Sequence, residues 1–112
     1  MNSMRHRFGL RQKKILRSYE IDYTLYEALI KLSNIYDASI PELLNFCVER
    51  LIESEKICFY TPDNTNTKIK RPYHMKETNL IGLNRLKEKY GVSIFKLVNM
   101  SIYNMLEEIK AD

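Results

Sequence analysis

The chain says the same thing twice, at a fixed offset of 54 residues and without a gap. Residues 14–56 overlaid on 68–110 give 14 identities in 43 positions, including Lys14/Lys68, Ile15/Ile69, Arg17/Arg71, Tyr19/Tyr73, Leu29/Leu83, Tyr36/Tyr90, Ser39/Ser93, Ile40/Ile94 and Asn45/Asn99. Most other apolar positions match in kind, such as Ile21/Met75, Val48/Ile102 and Leu51/Met105. An internal repeat dictates architecture before any local propensity does. A 43-residue unit cannot bury enough apolar surface to stand alone, so the two copies are expected to pack on each other.

Each copy reads as strand, helix, helix. In Ile15–Ile21, Ile15, Tyr19 and Ile21 fall on one face and Ser18 and Glu20 on the other, the period of a half-buried strand. Pro72 cannot donate to a central ladder and restricts its segment to an edge or a two-stranded ribbon. Asp22 is placed to cap a first helix with Leu25, Ala28, Leu29, Leu32, Ile35 and Tyr36 at three-four spacing. The second copy keeps Leu80, Leu83, Leu86 and Tyr90, and Gly91 stands where a helix end wants a left-handed residue. Ser39 with Glu42 forms a capping-box pattern opening a second helix, whose apolar face is Ile40, Leu43, Leu44, Cys47, Val48, Leu51 and Ile52. Ser93 opens the matching helix. These stripes are broad enough to make the second helices the centre of the shared core. Boundaries follow: a basic arm over 1–13, repeats over 14–56 and 68–112, and a polar, turn-rich linker over 57–67. The expected class is mainly α with a two-stranded antiparallel β-ribbon.

Charge is segregated. Residues 5–17 carry Arg5, Arg7, Arg11, Lys13, Lys14 and Arg17 with no acid, and residues 68–76 carry Lys68, Lys70, Arg71 and Lys76 with no acid. The remaining chain is net acidic, so these segments side by side would make one positive surface suited to a polyanion. No run approaches the ~20 apolar residues of a membrane span, and the basic amino terminus lacks the apolar stretch of a signal peptide. Cys47 and Cys58 have neither zinc spacing nor nearby histidines; a buried thiol and an incidental one are expected, in a cytoplasmic protein. His6 and His74 are isolated, and no Ser-His-Asp, paired-carboxylate or Gly-rich phosphate signature occurs. Neither an enzyme, a metal, a cofactor nor a small-molecule substrate is expected. The tyrosine pairs Tyr19/Tyr73 and Tyr36/Tyr90 read as packing at the rim of the core.

The chain resembles the ribbon-helix-helix family of DNA-binding proteins, the Arc, MetJ and CopG type, in a tandem single-chain form. An apolar residue closes each strand (Ile21, Met75), a leucine follows eight residues on (Leu29, Leu83), and a serine opens the second helix (Ser39, Ser93). The resemblance covers both repeats. It implies an intramolecular pseudo-dimer whose strands pair antiparallel and enter the major groove, while the starts of the second helices grip phosphates. Carried over by position, the groove-facing residues are Leu16, Ser18 and Glu20 in the first copy and Lys70, Pro72 and His74 in the second. Ser39, Ile40, Ser93 and Ile94 would meet phosphates, helped by Lys14, Arg17, Lys68, Arg71 and the arm. The implied function is sequence-selective binding of double-stranded DNA by a transcriptional regulator, folded as a monomer that can dimerise or assemble cooperatively on DNA. A DNA-binding accessory factor at a plasmid transfer origin is the alternative. An antitoxin-like or degenerate-ribbon protein-interaction module is the reading of another class, kept open by Glu20 and Pro72.

Overall fold

The computed structural model describes residues 13–58 and 67–111, so Arg5, Arg7, Arg11 and most of the linker lie outside the described residues. Among the described residues the chain runs β1 (Lys14–Asp22), α1 (Tyr23–Tyr36), α2 (Ile40–Ser54), β2 (Lys68–Lys76), α3 (Glu77–Tyr90) and α4 (Ile94–Ala111). It is mainly helical, with one antiparallel two-stranded sheet.

The strands obey their period-two pattern. Tyr19, Ile21, Tyr73 and Met75 are buried on one face, and Leu16, Ser18, Glu20, Lys70, Pro72 and His74 are exposed on the other. In the register, Ser18 stands opposite Pro72, Leu16 opposite His74 and Glu20 opposite Lys70. Ser18 and Pro72 are themselves matched by the 54-residue offset, so the ribbon is symmetric about that pair.

Among the described residues each strand has one edge without a partner strand, and an asparagine from the other repeat covers it. Asn99 on α4 accepts from the Asp22 amide at 2.8 Å and donates to the Glu20 carbonyl at 2.9 Å and the Phe95 carbonyl at 2.9 Å. Asn45 on α2 repeats this: it accepts from the Lys76 amide and donates to the His74 and Pro41 carbonyls, each at 2.9 Å. The Tyr23 amide donates to the Thr67 carbonyl at 2.9 Å and the Glu77 amide to the Lys13 carbonyl at 2.8 Å, again across the repeats. The asparagines also explain Pro72. Since residues 20, 22, 74 and 76 turn polar backbone groups outward, alternation along an antiparallel pair puts residue 72 in the same class. A proline there removes no ladder bond.

The core lies under the ribbon. Leu25 and Leu29 of α1, Leu80, Leu83 and Leu86 of α3, and the apolar faces of α2 (Leu44, Val48, Leu51) and α4 (Leu97, Val98, Ile102) are buried together. Gly82 lets α3 approach α2: a Cβ there would meet Ile52 Cγ1 at 2.8 Å. Burial pushes the Cys47 thiol up to about 12; half-buried Cys58 donates its S–H to Asn104 Oδ1 at 2.9 Å.

Local signals held with three exceptions. Ser39 makes the capping box, taking the Glu42 amide at 3.2 Å while Glu42 Oε1 takes the Ser39 amide at 2.8 Å. Gly91 is left-handed at φ 68°, and Asp37 takes the matching place at φ 52°. Asp22, however, does not cap α1 with its side chain; it is buried at the strand's end, where its amide serves Asn99. Ile35 and Tyr36 extend the apolar period of α1 but are 70% and 58% exposed, one turn beyond the edge of the core. Tyr90, also expected to pack at the rim, instead donates to Glu55 at 2.7 Å beside Arg85 and Lys89.

Candidate nucleic-acid interface

The ribbon presents a strip nine residues long, about 30 Å at the usual rise per residue. Along its outer face the cross-strand pairs are Lys14–Lys76, Leu16–His74, Ser18–Pro72 and Glu20–Lys70, with Lys68 at the far end opposite Asp22. Leu16 is 57% exposed. Its strand neighbours on the other face, not Leu16, fill the core.

Arg17 and Arg71 share the inward-facing period with the buried tyrosines yet are themselves exposed. Each stands opposite the other strand's tyrosine, Arg17 opposite Tyr73 and Arg71 opposite Tyr19. Their surroundings differ. Arg71 Nε donates to the Tyr26 hydroxyl at 3.2 Å, with its guanidinium 5.9 Å from that ring. The position matching Tyr26 in the second repeat is Leu80, which has no hydroxyl to offer.

Beside the ribbon lie two clefts, each with a volume of about 530 Å³. One runs between β2 and the start of α2 and is lined by Lys14, Ser39, Glu42, Glu49, His74 and Lys76, among others. The other runs between the ribbon and the start of α4 and is lined by Arg17, Glu20, Lys70, Asn84, Ile94 and Phe95, among others. The expected phosphate-gripping residues Ser39, Ile40, Ser93 and Ile94 therefore do flank the ribbon, one pair on either side, with both serines exposed. Ser93 accepts from the Lys96 amide at 3.2 Å. Lys68 Nζ lies 5.7 Å from the Phe95 ring. In the α2 cleft Lys76 is paired to Glu49 at 2.8 Å. Hydrogen bonds from the Ser39 amide and hydroxyl, aided by Lys14, hold the Glu42 carboxyl below its ordinary value.

Burial raises the Tyr19 and Tyr73 phenols above their ordinary value, and both hydroxyls are buried without a hydrogen-bond partner among the described residues. Such groups stay protonated. Among the described residues no cluster of three His, Cys, Asp or Glu side chains could hold a metal ion, and no helix is long and apolar enough to cross a membrane. The residues to which sequence reasoning gave no site role are Asn45, Asn99, Tyr26 and Lys96; Lys76 entered only as part of the basic segment. The asparagine identity at the 54-residue offset was a visible signal; the others depend on contacts between repeats. No protein-family model, curated protein or solved structure matches the chain.

Proposed function

We propose that this chain is a tandem ribbon-helix-helix protein, a pseudo-dimer within one polypeptide, that binds duplex DNA by laying β1 and β2 in the major groove. The observation that carries the reading is the ribbon itself. One face is sealed by core, both edges are covered by Asn45 and Asn99, and the outer face offers Leu16, Ser18, Glu20, Lys70, Pro72 and His74 between two helix starts. A two-stranded ribbon fits the ~12 Å major groove, where each base pair shows a distinct set of donors and acceptors. Lys70 can donate to the two acceptors of guanine, Glu20 can accept from a cytosine amino group, and Leu16 can meet a thymine methyl. The basic arm before Lys14 adds charge that reads phosphate rather than sequence. Transcriptional regulation is the role we assign; service at a plasmid transfer origin uses the same contact.

The test is selection from a pool of random duplexes by the full chain at two salt concentrations. A recovered consensus, with affinity that falls as salt rises, supports the reading. Retention of no duplex at either salt concentration refutes it. A second reading, an interaction module for another protein, draws on the exposed Ile30, Ile35, Tyr36 and Ile81 of α1 and α3, and gains if the ribbon proves indifferent to DNA.

A further inference from the structure

The two flanks of the ribbon are built from matching positions but are chemically unlike: Glu20 and Asp22 on the α4 side match His74 and Lys76 on the α2 side, while the differences at the helix starts run the other way. Both helix starts spend one amide on their serine, Glu42 on Ser39 and Lys96 on Ser93, but α2 has less left to offer an anion than α4. Glu42 Oε1 occupies the Ser39 amide, Ser39 Oγ occupies the Glu42 amide, and Pro41 has no amide to give. The position thus holds a carboxylate of its own, where a phosphate would have to displace or face it. Lys76, the cation beside it, is spent on Glu49, and Arg71 is drawn to Tyr26. The cleft's two lysines, Lys14 and Lys76, are matched by two glutamates, Glu42 and Glu49.

At the start of α4 the residue matching Glu42 is Lys96, and the residue matching Pro41 is Phe95, which keeps its amide. Arg17 and Lys70 line the cleft against one acid, Glu20, and Lys68 stands against the Phe95 ring. Tyr19, only 6% exposed, also lines this cleft, and its hydroxyl, like that of Tyr73, has no hydrogen-bond partner among the described residues. The α2 cleft has no tyrosine in its lining.

We infer that the protein grips the sugar-phosphate backbone at one end only, through Arg17, Lys68, Lys96 and the first amides of α4, and so sits on an asymmetric DNA site in a single orientation. This deepens the DNA-binding reading and rests on it. The symmetric arrangement implied by sequence, with Ser39 and Ile40 acting like Ser93 and Ile94, is replaced by an anchored end and an unanchored one. The ribbon then reads bases outward from the anchor, Lys70 and Glu20 first and His74 and Leu16 last.

The experiment measures binding of the full chain to a duplex recovered by the selection above, by fluorescence anisotropy across a salt series. Lys96→Ala and Lys68→Ala should each lower the slope of log affinity against log salt by ~0.9, on the order of eightfold weaker binding at 0.1 M salt. The matched substitution Lys14→Ala should lower the slope by clearly less than Lys68→Ala does, and Glu42→Gln, which retains the capping geometry, should strengthen binding. Hydroxyl-radical cleavage of the bound duplex should show protection concentrated at one end. Equal slope losses at Lys14 and Lys68, or symmetric protection, would overturn the inference while leaving DNA binding intact. A wild-type chain that binds no duplex overturns both.

Discussion

Replacing Asn99 with alanine should be among the most damaging single changes in this molecule. Asn99 is fully buried and makes three hydrogen bonds, two of them to the edge of the other repeat's strand at Asp22 and Glu20. Alanine removes the bonds and leaves the Asp22 amide and the Glu20 carbonyl without their partner. Each buried polar group so stranded costs about 1–3 kcal/mol. With the small cavity added, the total is ~3–5 kcal/mol, against a typical domain stability of about 5–15 kcal/mol. Urea unfolding followed by circular dichroism should show the midpoint drop by ~1.5–3 M, for a slope of roughly 1.5–2 kcal/mol/M, with the slope itself unchanged. Asn45→Ala should behave similarly, since it makes the same set of bonds and also accepts from Asn79 Nδ2 at 2.9 Å. A loss below ~1 kcal/mol in both variants would mean that the strand edges are not held by these amides, and the account of how the ribbon is fixed would be wrong.

Gly82→Ala gains helix propensity yet should destabilise by about 1–3 kcal/mol, because the new methyl meets the stiff Ile52 side chain; pairing it with Ile52→Val in a double-mutant cycle should recover much of the loss. Glu55 accepts from Arg85, Lys89 and Tyr90, and bonds from Lys89 and then Tyr90 and Arg85 hold its carboxyl down to about 2. A depressed carboxylate contributes stability that is present above its ordinary pKa, near 4.5, and is lost as pH falls towards 2. The urea midpoint of the wild type should therefore fall more steeply between pH 5 and pH 2 than that of Glu55→Gln; identical curves would show that the cluster is electrostatically idle.

The repeat made much of this architecture legible. An offset of 54 residues with matched apolar faces accounts for the strand positions, the Ser39 cap, the left-handed Gly91 and the central placement of α2 and α4. Pro72 correctly confined its segment to a ribbon. Periodicity could not show what joins residues far apart in sequence, such as Asn99 reaching Glu20 and Asp22. Nor could it show that Asp22, a sound cap by residue type, would be buried at the strand's end with its side chain making no cap bond. Ile35 and Tyr36 keep the helical period after the core has ended, so period alone overcounted the buried face. The inequality of the two flanks was written in the substitutions Glu42/Lys96 and Tyr26/Leu80, but it acquires meaning only once those residues are seen beside the ribbon.

On the proposed reading, DNA meets the outer face of β1 and β2. The most direct measurement is titration of the ¹⁵N-labelled full chain with a selected duplex, following backbone amide shifts by NMR. The account predicts changes concentrated in residues 14–22 and 68–76 and at the start of α4, with α1 and α3 little affected. Shifts centred on Ile30, Ile35, Tyr36 and Ile81 with a silent ribbon, or no shifts at a saturating excess of duplex, would contradict it.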